Sequence, residues 1–276
     1  MSKLDNFISV KPPREFQHQI DSVYFHSCDH TDSKLSFTYY PHIKHAVTIY
    51  LGSTAQTTAN KTIIKPQNNS FPALYSTVRD HLHQVEIHGS FKKIRIIFKP
   101  YGLNHFINRP IQDFHHSIIS VFREWDSDFQ QLAVEIWKTE DVDSRLALLE
   151  VFLRSQKSEN INHKFSGIID ELTKSENTES VEHVSNRHGL NRKALYRLFI
   201  KELDCSPSKF MKILRFRRSL EAYLQSADIK LTEAAVAQFY DQSDFIKNVK
   251  QITSMTPRRL TQDISVLKNT IFWKIG

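Results

Sequence analysis

The sequence predicts an α+β chain of more than one domain: a β-rich, sandwich- or barrel-like first half ending in connector helices, then an all-α unit of about seven helices holding two helix-turn-helix motifs. Three observations lead there. The 276 residues suit two domains of about 100 to 200 residues each. The hydrophobic period changes from short strand-like runs to a helical stripe near Asp113. Beyond residue 160, the chain repeats itself at an offset of 50 residues.

Strands are expected at Leu35 to Tyr40, Ala46 to Leu51, Thr62 to Ile64, His83 to Ile87 and Lys93 to Phe98, all rich in β-branched and aromatic side chains. Pro41, Gly52, Pro66, Asn68, Asn69, Pro72, Gly89 and Pro100 punctuate them. From about Asp113, Ile118, Ile119, Phe122 and Trp125, then Phe129, Leu132, Ala133, Ile136 and Trp137, follow the i, i+3, i+4 stripe of amphipathic helices. Another helix is expected from about Asp143 to Leu153, with Leu146, Leu149, Val151 and Phe152 on its buried side. The polar stretch Ser155 to His163 marks the boundary, giving domains at 1–157 and 158–276. After it only helical patterns are expected, broken at Ser175 to Thr178, Gly189, Cys205 to Pro207, Ser226 to Lys230, Tyr240 to Ser243 and Ser254 to Pro257.

Charge is divided unevenly. Residues 1–160 carry 18 basic and 17 acidic side chains and residues 161–276 carry 19 and 13, so nearly all of the net +7 lies in the second part. A concentrated positive block makes a polyanion the first partner to consider. The six glycines all stand more than ten residues apart, which excludes a dinucleotide fingerprint, a P-loop and a nucleophile elbow. Cys28 and Cys205 are the two cysteines, too few for a disulfide framework or a structural zinc site, and they fit a reducing compartment. The longest apolar runs, such as Ile94 to Phe98 with Arg95 inside, fall far short of a membrane span, and the polar start is no secretory signal. These features predict a cytoplasmic protein without a membrane partner.

In the repeat, Leu195 matches Phe245, Phe199 matches Val249, Phe210 matches Leu260, Arg197 matches Lys247, and Ser206-Pro207 matches Thr256-Pro257. Each copy is a helix with an apolar i, i+4 pair, followed by a hydroxyl-Pro helix start. In the first copy Val181, Val184 and Ser185 lie on one side of a short helix, Gly189 permits a left-handed turn and Asn191 can cap the next helix. That is helix-turn-helix grammar, in which the second helix enters the major groove. The helix from about Arg192 to Leu203 turns Leu195, Leu198 and Phe199 inward and leaves Lys193, Tyr196, Arg197 and Lys201 outside. From Arg187 to Arg218 ten residues are basic and two, Glu202 and Asp204, are acidic. The helix between the copies, Pro207 to about Leu224, spans about 27 Å and with its turns can set two reading helices about one DNA turn apart.

At these residues the sequence resembles the AraC/XylS family of bacterial transcription regulators. The likeness covers about residues 163–262 and rests on Val181 to Phe199, Cys205-Ser206-Pro207-Ser208-Lys209-Phe210, Tyr240-Asp241-Gln242-Ser243-Asp244-Phe245 and Met255-Thr256-Pro257-Arg258-Arg259. The first half is more loosely similar to the β-rich domain ahead of such units, closest at Phe98-Lys99-Pro100-Tyr101-Gly102. The resemblance implies a DNA-binding transcription regulator with a domain for small-molecule effector sensing or homodimer formation, double-stranded DNA as partner, and no catalysis or cofactor. Together with helix geometry it assigns base reading to Lys193, Tyr196, Arg197, Ser243, Asp244 and Lys247, with Arg197 placed for a bidentate guanine contact. Phosphate contacts are assigned to Arg192, Lys201, Lys209, Arg215 and Lys250, and Arg217 and Arg218 to phosphate or plain surface. The second copy departs from the family pattern: Gln238 and Phe239 occupy the region of a usual turn glycine, and Asp244 puts a carboxylate near phosphates. The first motif is therefore expected to contribute more affinity.

Eleven of fourteen histidines precede residue 117. His81, His83, Glu86 and His88 on one strand suggest a cupin-like metal set, but the spacing from His83 to Glu86 is short and the flanking glycines are missing, so no metal is expected. His115 and His116 diverge by about 100° on a helix. Trp125, Trp137, Phe122 and Phe129 are expected in a core, with an effector pocket or a second subunit as the other uses of that stripe. Two rival functions follow: a His-rich metal oxygenase or isomerase with a basic accessory domain, and a basic scaffold for acidic proteins.

Overall fold

The structure, a computed structural model, describes residues 6–114, 119–175, 179–225, 230–236, 238–263, 265–267 and 271–275. The first part runs β1 (Phe7–Val10), β2 (Ile20–Cys28), β3 (Lys34–Tyr39), β4 (His45–Leu51), β5 (Ser53–Thr57), β6 (Lys61–Pro66), β7 (Ala73–Ser76), β8 (His83–His88), β9 (Phe91–Phe98) and β10 (Ile119–Val121). Helices α1 (Asp126–Lys138) and α2 (Val142–Ser155) follow. The second part is α3 (His163–Lys174), α4 (Val181–Arg187), α5 (Arg192–Leu203), α6 (Pro207–Gln225), α7 (Leu231–Ala234), α8 (Gln242–Thr253) and α9 (Pro257–Asp263), then β11 (Ser265–Leu267) and β12 (Ile271–Ile275).

Two six-stranded sheets form, ordered β1-β2-β9-β4-β7-β10 and β11-β12-β3-β8-β6-β5. Their pairs are antiparallel except β6 with β8. Alternation along β9 explains the layering. Ile94, Ile96 and Phe98 point to one face, where they share a core with Phe25, Val47 and Ile49 and with Trp125, Phe129, Ile136, Leu149 and Phe152 of the helical layer. Phe91 and Ile97 point to the other face, against Phe37, Val85 and Ile87 of the second sheet. The first sheet is thus buried on both sides, by helices and by its partner sheet. Trp125, Phe122 and Phe129 are core, and the Trp125 indole donates to the Phe106 carbonyl at 2.9 Å.

Among the described residues, the sandwich, the connector helices and seven helices after residue 162 match the expected architecture. Three expectations fail. The helical stripe does not begin near Asp113: Ile119–Val121 is a strand pairing with β7, and the first helix starts at Asp126. A sheet edge here outweighs the short helical period of Ile118, Ile119, Phe122 and Trp125. The second part is not purely helical, since β12 returns to β3 with Trp273 opposite Tyr39 and Ile275 opposite Phe37. Strands at Ile20–Cys28, Ser53–Thr57 and Ala73–Ser76 escaped the sequence reading. His115 and His116 lie outside the described residues.

Candidate nucleic-acid interface

The two helix pairs, α4–α5 and α7–α8, repeat the caps and ends of their second helices at the offset of 50. Asn191 Oδ1 accepts from the Ala194 N–H at 2.8 Å, and Asp241 Oδ1 accepts from the Asp244 N–H at 2.7 Å. Both helices end on a left-handed residue, Asp204 at φ 52° and Ser254 at φ 56°. Ser206 Oγ then caps the Lys209 N–H at 3.2 Å, and Thr256 Oγ1 the Arg259 N–H at 3.3 Å. Inside, Leu195, Phe199 and Phe210 are buried in one copy and Phe245, Val249 and Leu260 in the other. Such matching caps and cores orient α5 and α8 in the same way relative to their supporting helices. Between them α6, at 19 residues, is about 28 Å long.

The outward faces carry the residues expected to read DNA. Lys193, Tyr196 and Arg197 are exposed on α5, and Ser243 and Lys247 are exposed on α8. Asp244 is half-buried. Gly189, at φ 60°, makes the turn of the first pair as expected. In the second pair Phe239 fills the turn, buried and edge-on to Phe245 at 5.1 Å between centroids, while Tyr240 is left 96% exposed.

The expected phosphate contacts divide. Arg192, Lys201 and Lys250 are exposed. Lys209 is half-buried, its Nζ 3.2 Å from Asp80 Oδ2 of the first part. Arg215 is half-buried with its guanidinium 5.4 Å from the Phe239 ring centre, so it also braces the second pair. Arg217 and Arg218 depart from expectation: Arg217 is buried, and Arg218 donates to the Leu172 carbonyl at 2.6 Å and caps the end of α3. Arg187 is held by Glu171 and Glu179. The sequence reading passed over Arg258 and Arg259, both exposed in the first turn of α9. Their signal was the repeat itself, which places Arg259 opposite Lys209.

A second set of cations lies between the sheets. Lys93 and Arg95 of β9 and Arg79, just after β7, are all buried. Four rings, those of Phe37, Tyr24, Phe91 and Tyr50, stand 4.6 to 5.9 Å from Lys93 Nζ. Arg79 and Arg95 lie 5.0 and 4.8 Å from the Tyr39 ring centre. Arg95 donates to Thr48 Oγ1 at 3.1 Å and Arg79 contacts His42. Among the described residues no hydrogen-bond acceptor meets Lys93 Nζ, Arg95 Nε, or Nε and Nη1 of Arg79. The rings attract the charges without accepting these N–H groups in line. Burial pushes the Lys93 ammonium down to about 8, with Tyr39 pulling the other way. Burial opposes ionisation of the Tyr39 hydroxyl, yet Arg95, Lys93 and Arg79 together hold it below its ordinary value.

His81, His83, Glu86 and His88 do not share one face. His83 is on the buried face of β8, bonded to Thr62 Oγ1 at 2.9 Å, while Glu86 and His88 are on the opposite face. Glu86 pairs with Lys61 at 2.8 Å, and His81 meets Asp80 at 3.0 Å. Burial lowers His83 to about 4, which favours a neutral ring. No cluster of three or more His, Cys, Asp or Glu that could hold a metal occurs among the described residues. No described helix is long and apolar enough to cross a membrane.

Comparison with known proteins matches residues 184–263 to the helix-turn-helix domain family. No curated protein matches the chain. Among solved structures, a Listeria innocua protein of unknown function is 26% identical over 37% of this chain and 94% of its own, with a TM-score of 0.30. ToxT from Vibrio cholerae strain SCE256, bound to an unsaturated fatty acid, is 12% identical over 94% of this chain and 96% of its own, with a TM-score of 0.44. ToxT from Vibrio cholerae O395 is 10% identical over 92% and 96%, with a TM-score of 0.40.

Proposed function

We propose that the chain is a DNA-binding transcription regulator of the AraC type, in which residues 184–263, matched to the helix-turn-helix domain family, set α5 and α8 to read successive major-groove segments on one face of the duplex. The observation that carries this reading is the repeat at 50 residues, in which matched caps present two equivalent helices with Lys193, Tyr196 and Arg197 on one and Ser243 and Lys247 on the other. Arg192, Lys201, Lys209, Arg215 and Lys250, joined by Arg258 and Arg259, supply salt-dependent affinity for the backbone. Helix α5 carries four cations and one acid and α8 two cations and one acid, so the first motif binds more strongly. We divide the chain at 157/158, in the polar stretch between α2 and α3. The regulator works in the cytoplasm, where its DNA is, and its mechanism needs no catalysis.

The test is selection of bound duplexes from a random pool by the full-length protein. The expected winner holds two half-elements about 10 base pairs apart, and its affinity falls steeply with salt. One element alone would remove the second motif from base reading. No enrichment at all would overturn the reading in favour of a scaffold for acidic proteins.

The first domain, in this reading, senses a small molecule, and the buried donors of Arg79, Lys93 and Arg95 favour an anionic one. A buried cation is stabilised by a hydrogen-bonded counter-charge. A ligand regulates only if it binds two states of the domain differently. Lys93→Met removes a buried charge, so its thermal midpoint is expected to equal or exceed that of the parent, and added small organic carboxylates should stabilise the parent but not the variant. Because the folded Lys93 loses its proton near 8 and an unfolded lysine near 10.5, the parent gains stability as pH rises through that window. Lys93→Met abolishes this gain. For pairing of two chains we favour the outer side of α1 and α2, where Val151 is 66% exposed.

A further inference from the structure

The repeat supplies its own control for one corner of the molecule. In the second motif the corner after the reading helix is open, with Ser254, Thr256, Arg258 and Arg259 exposed. In the first motif the equivalent corner, Glu202 to Lys209, is pressed against the β-rich domain. Asn104 Nδ2 donates to the Glu202 carbonyl at 3.0 Å and to its Oε2 at 3.2 Å. Ile43 and Val78 share a buried cluster with Phe199, Leu203, Cys205 and Phe210. Two residues beyond Val78, Asp80 Oδ2 stands 3.2 Å from Lys209 Nζ.

We propose that Asp80 occupies on Lys209 the place of a DNA phosphate, so that the first domain and DNA compete for this lysine. The inference rests on reading Lys209 as a phosphate contact. Lys209 and Arg259 are the same position of the repeat, third after a hydroxyl cap, and one faces a carboxylate while the other is exposed. An ammonium paired with a carboxylate presents no net charge to an approaching polyanion and displaces no counterion from it, so a phosphate must first break the pair. Asp80 is ionised for this role: burial resists ionisation, but the charge of Lys209 and hydrogen bonds from His81 and Lys209 hold the carboxyl below its usual value. The loop that carries it is tied down, since His42 and Arg79 exchange both backbone hydrogen bonds, at 3.2 and 3.1 Å. Asp80 also directly follows Arg79, one of the cations between the sheets, so a change there lies one peptide bond from the pair.

The experiment measures binding of the full-length protein to the selected duplex and to a random duplex of equal length, at several salt concentrations between about 50 and 200 mM. Asp80→Asn, Lys209→Ala and the double variant are compared, with a thermal melt to show that each is folded. Asp80→Asn is expected to tighten binding to both duplexes alike, by about two- to fivefold, and to steepen the plot of log affinity against log salt by about 0.9. Removing Lys209 from the Asp80→Asn protein takes this added slope and affinity away again, so in the Lys209→Ala background Asp80→Asn has no effect. If Lys209→Ala weakens binding while Asp80→Asn leaves or lowers it, the competition is refuted and Lys209 keeps its phosphate role. A gain from Asp80→Asn that persists in the double variant also refutes it, as a general charge effect. If Lys209→Ala leaves both duplexes unchanged, the phosphate reading fails and the inference with it.

Discussion

Arg197→Ala is expected to weaken binding to the selected duplex by about 1 to 3 kcal/mol and to relax base preference at one position, while leaving random DNA nearly unaffected. Arg197 is exposed in the middle of α5, two residues past the buried Leu195 and two before the buried Phe199, so its side chain projects opposite the core. A guanidinium there can present two parallel N–H donors to the O6 and N7 acceptors of one guanine, which no other base pair offers together. Arg197→Lys keeps the charge but loses the fork, so it should bind random DNA like the parent and recover little discrimination. Competition titrations against duplexes varied one base pair at a time measure this. Equal losses on selected and random DNA for Arg197→Ala would reassign the residue to phosphate.

Phe199→Ala should have the largest effect on stability, about 3 to 5 kcal/mol. The ring is fully buried, edge-on to Phe165 at 5.1 Å and at 69° to Phe210 at 5.5 Å. It joins α3, α5 and α6, and in a close-packed core its removal leaves a cavity that the neighbours fill only in part. Denaturant unfolding followed by circular dichroism should show the helical transition move to lower denaturant, with DNA affinity lost in parallel. Tyr196→Ala, three residues earlier but half exposed, should shift the transition by no more than about 0.5 kcal/mol. Matching shifts for the two variants would mean that α5 is not seated as described.

The DNA-binding half was legible in the sequence because its signals are local. Asn191, Gly189, Ser206 and Pro207 act within one turn of the backbone they cap or bend, and the stripe Leu195, Phe199 is set by helix geometry alone. Repetition at 50 residues then doubled the cap, the hydroxyl-Pro step and the apolar pair, though not the glycine turn. The β-rich half was less legible. Ile20–Cys28 is buried on both faces and so lacks the alternation that marks a strand. Ser53–Thr57 and Ala73–Ser76 are short, and Ile119–Val121 joins a sheet whose partner is more than forty residues away.

Charge shows the same division from another side. That the second half is basic, and that α5 presents Lys193 and Arg197 outward, follows from residue order and helical period. Contacts across the fold bury Arg217, turn Arg218 onto the Leu172 carbonyl, bring Lys209 to Asp80, and gather Lys93, Arg95 and Arg79 between two sheets. Residue order alone sets the two-part architecture, the paired motifs and the outward faces of α5 and α8, because caps, turns and periodicity act over a few residues. Which cations remain free to meet DNA was settled by contacts between segments far apart in the chain, since burial and pairing depend on what packs against a side chain and not on its neighbours in sequence.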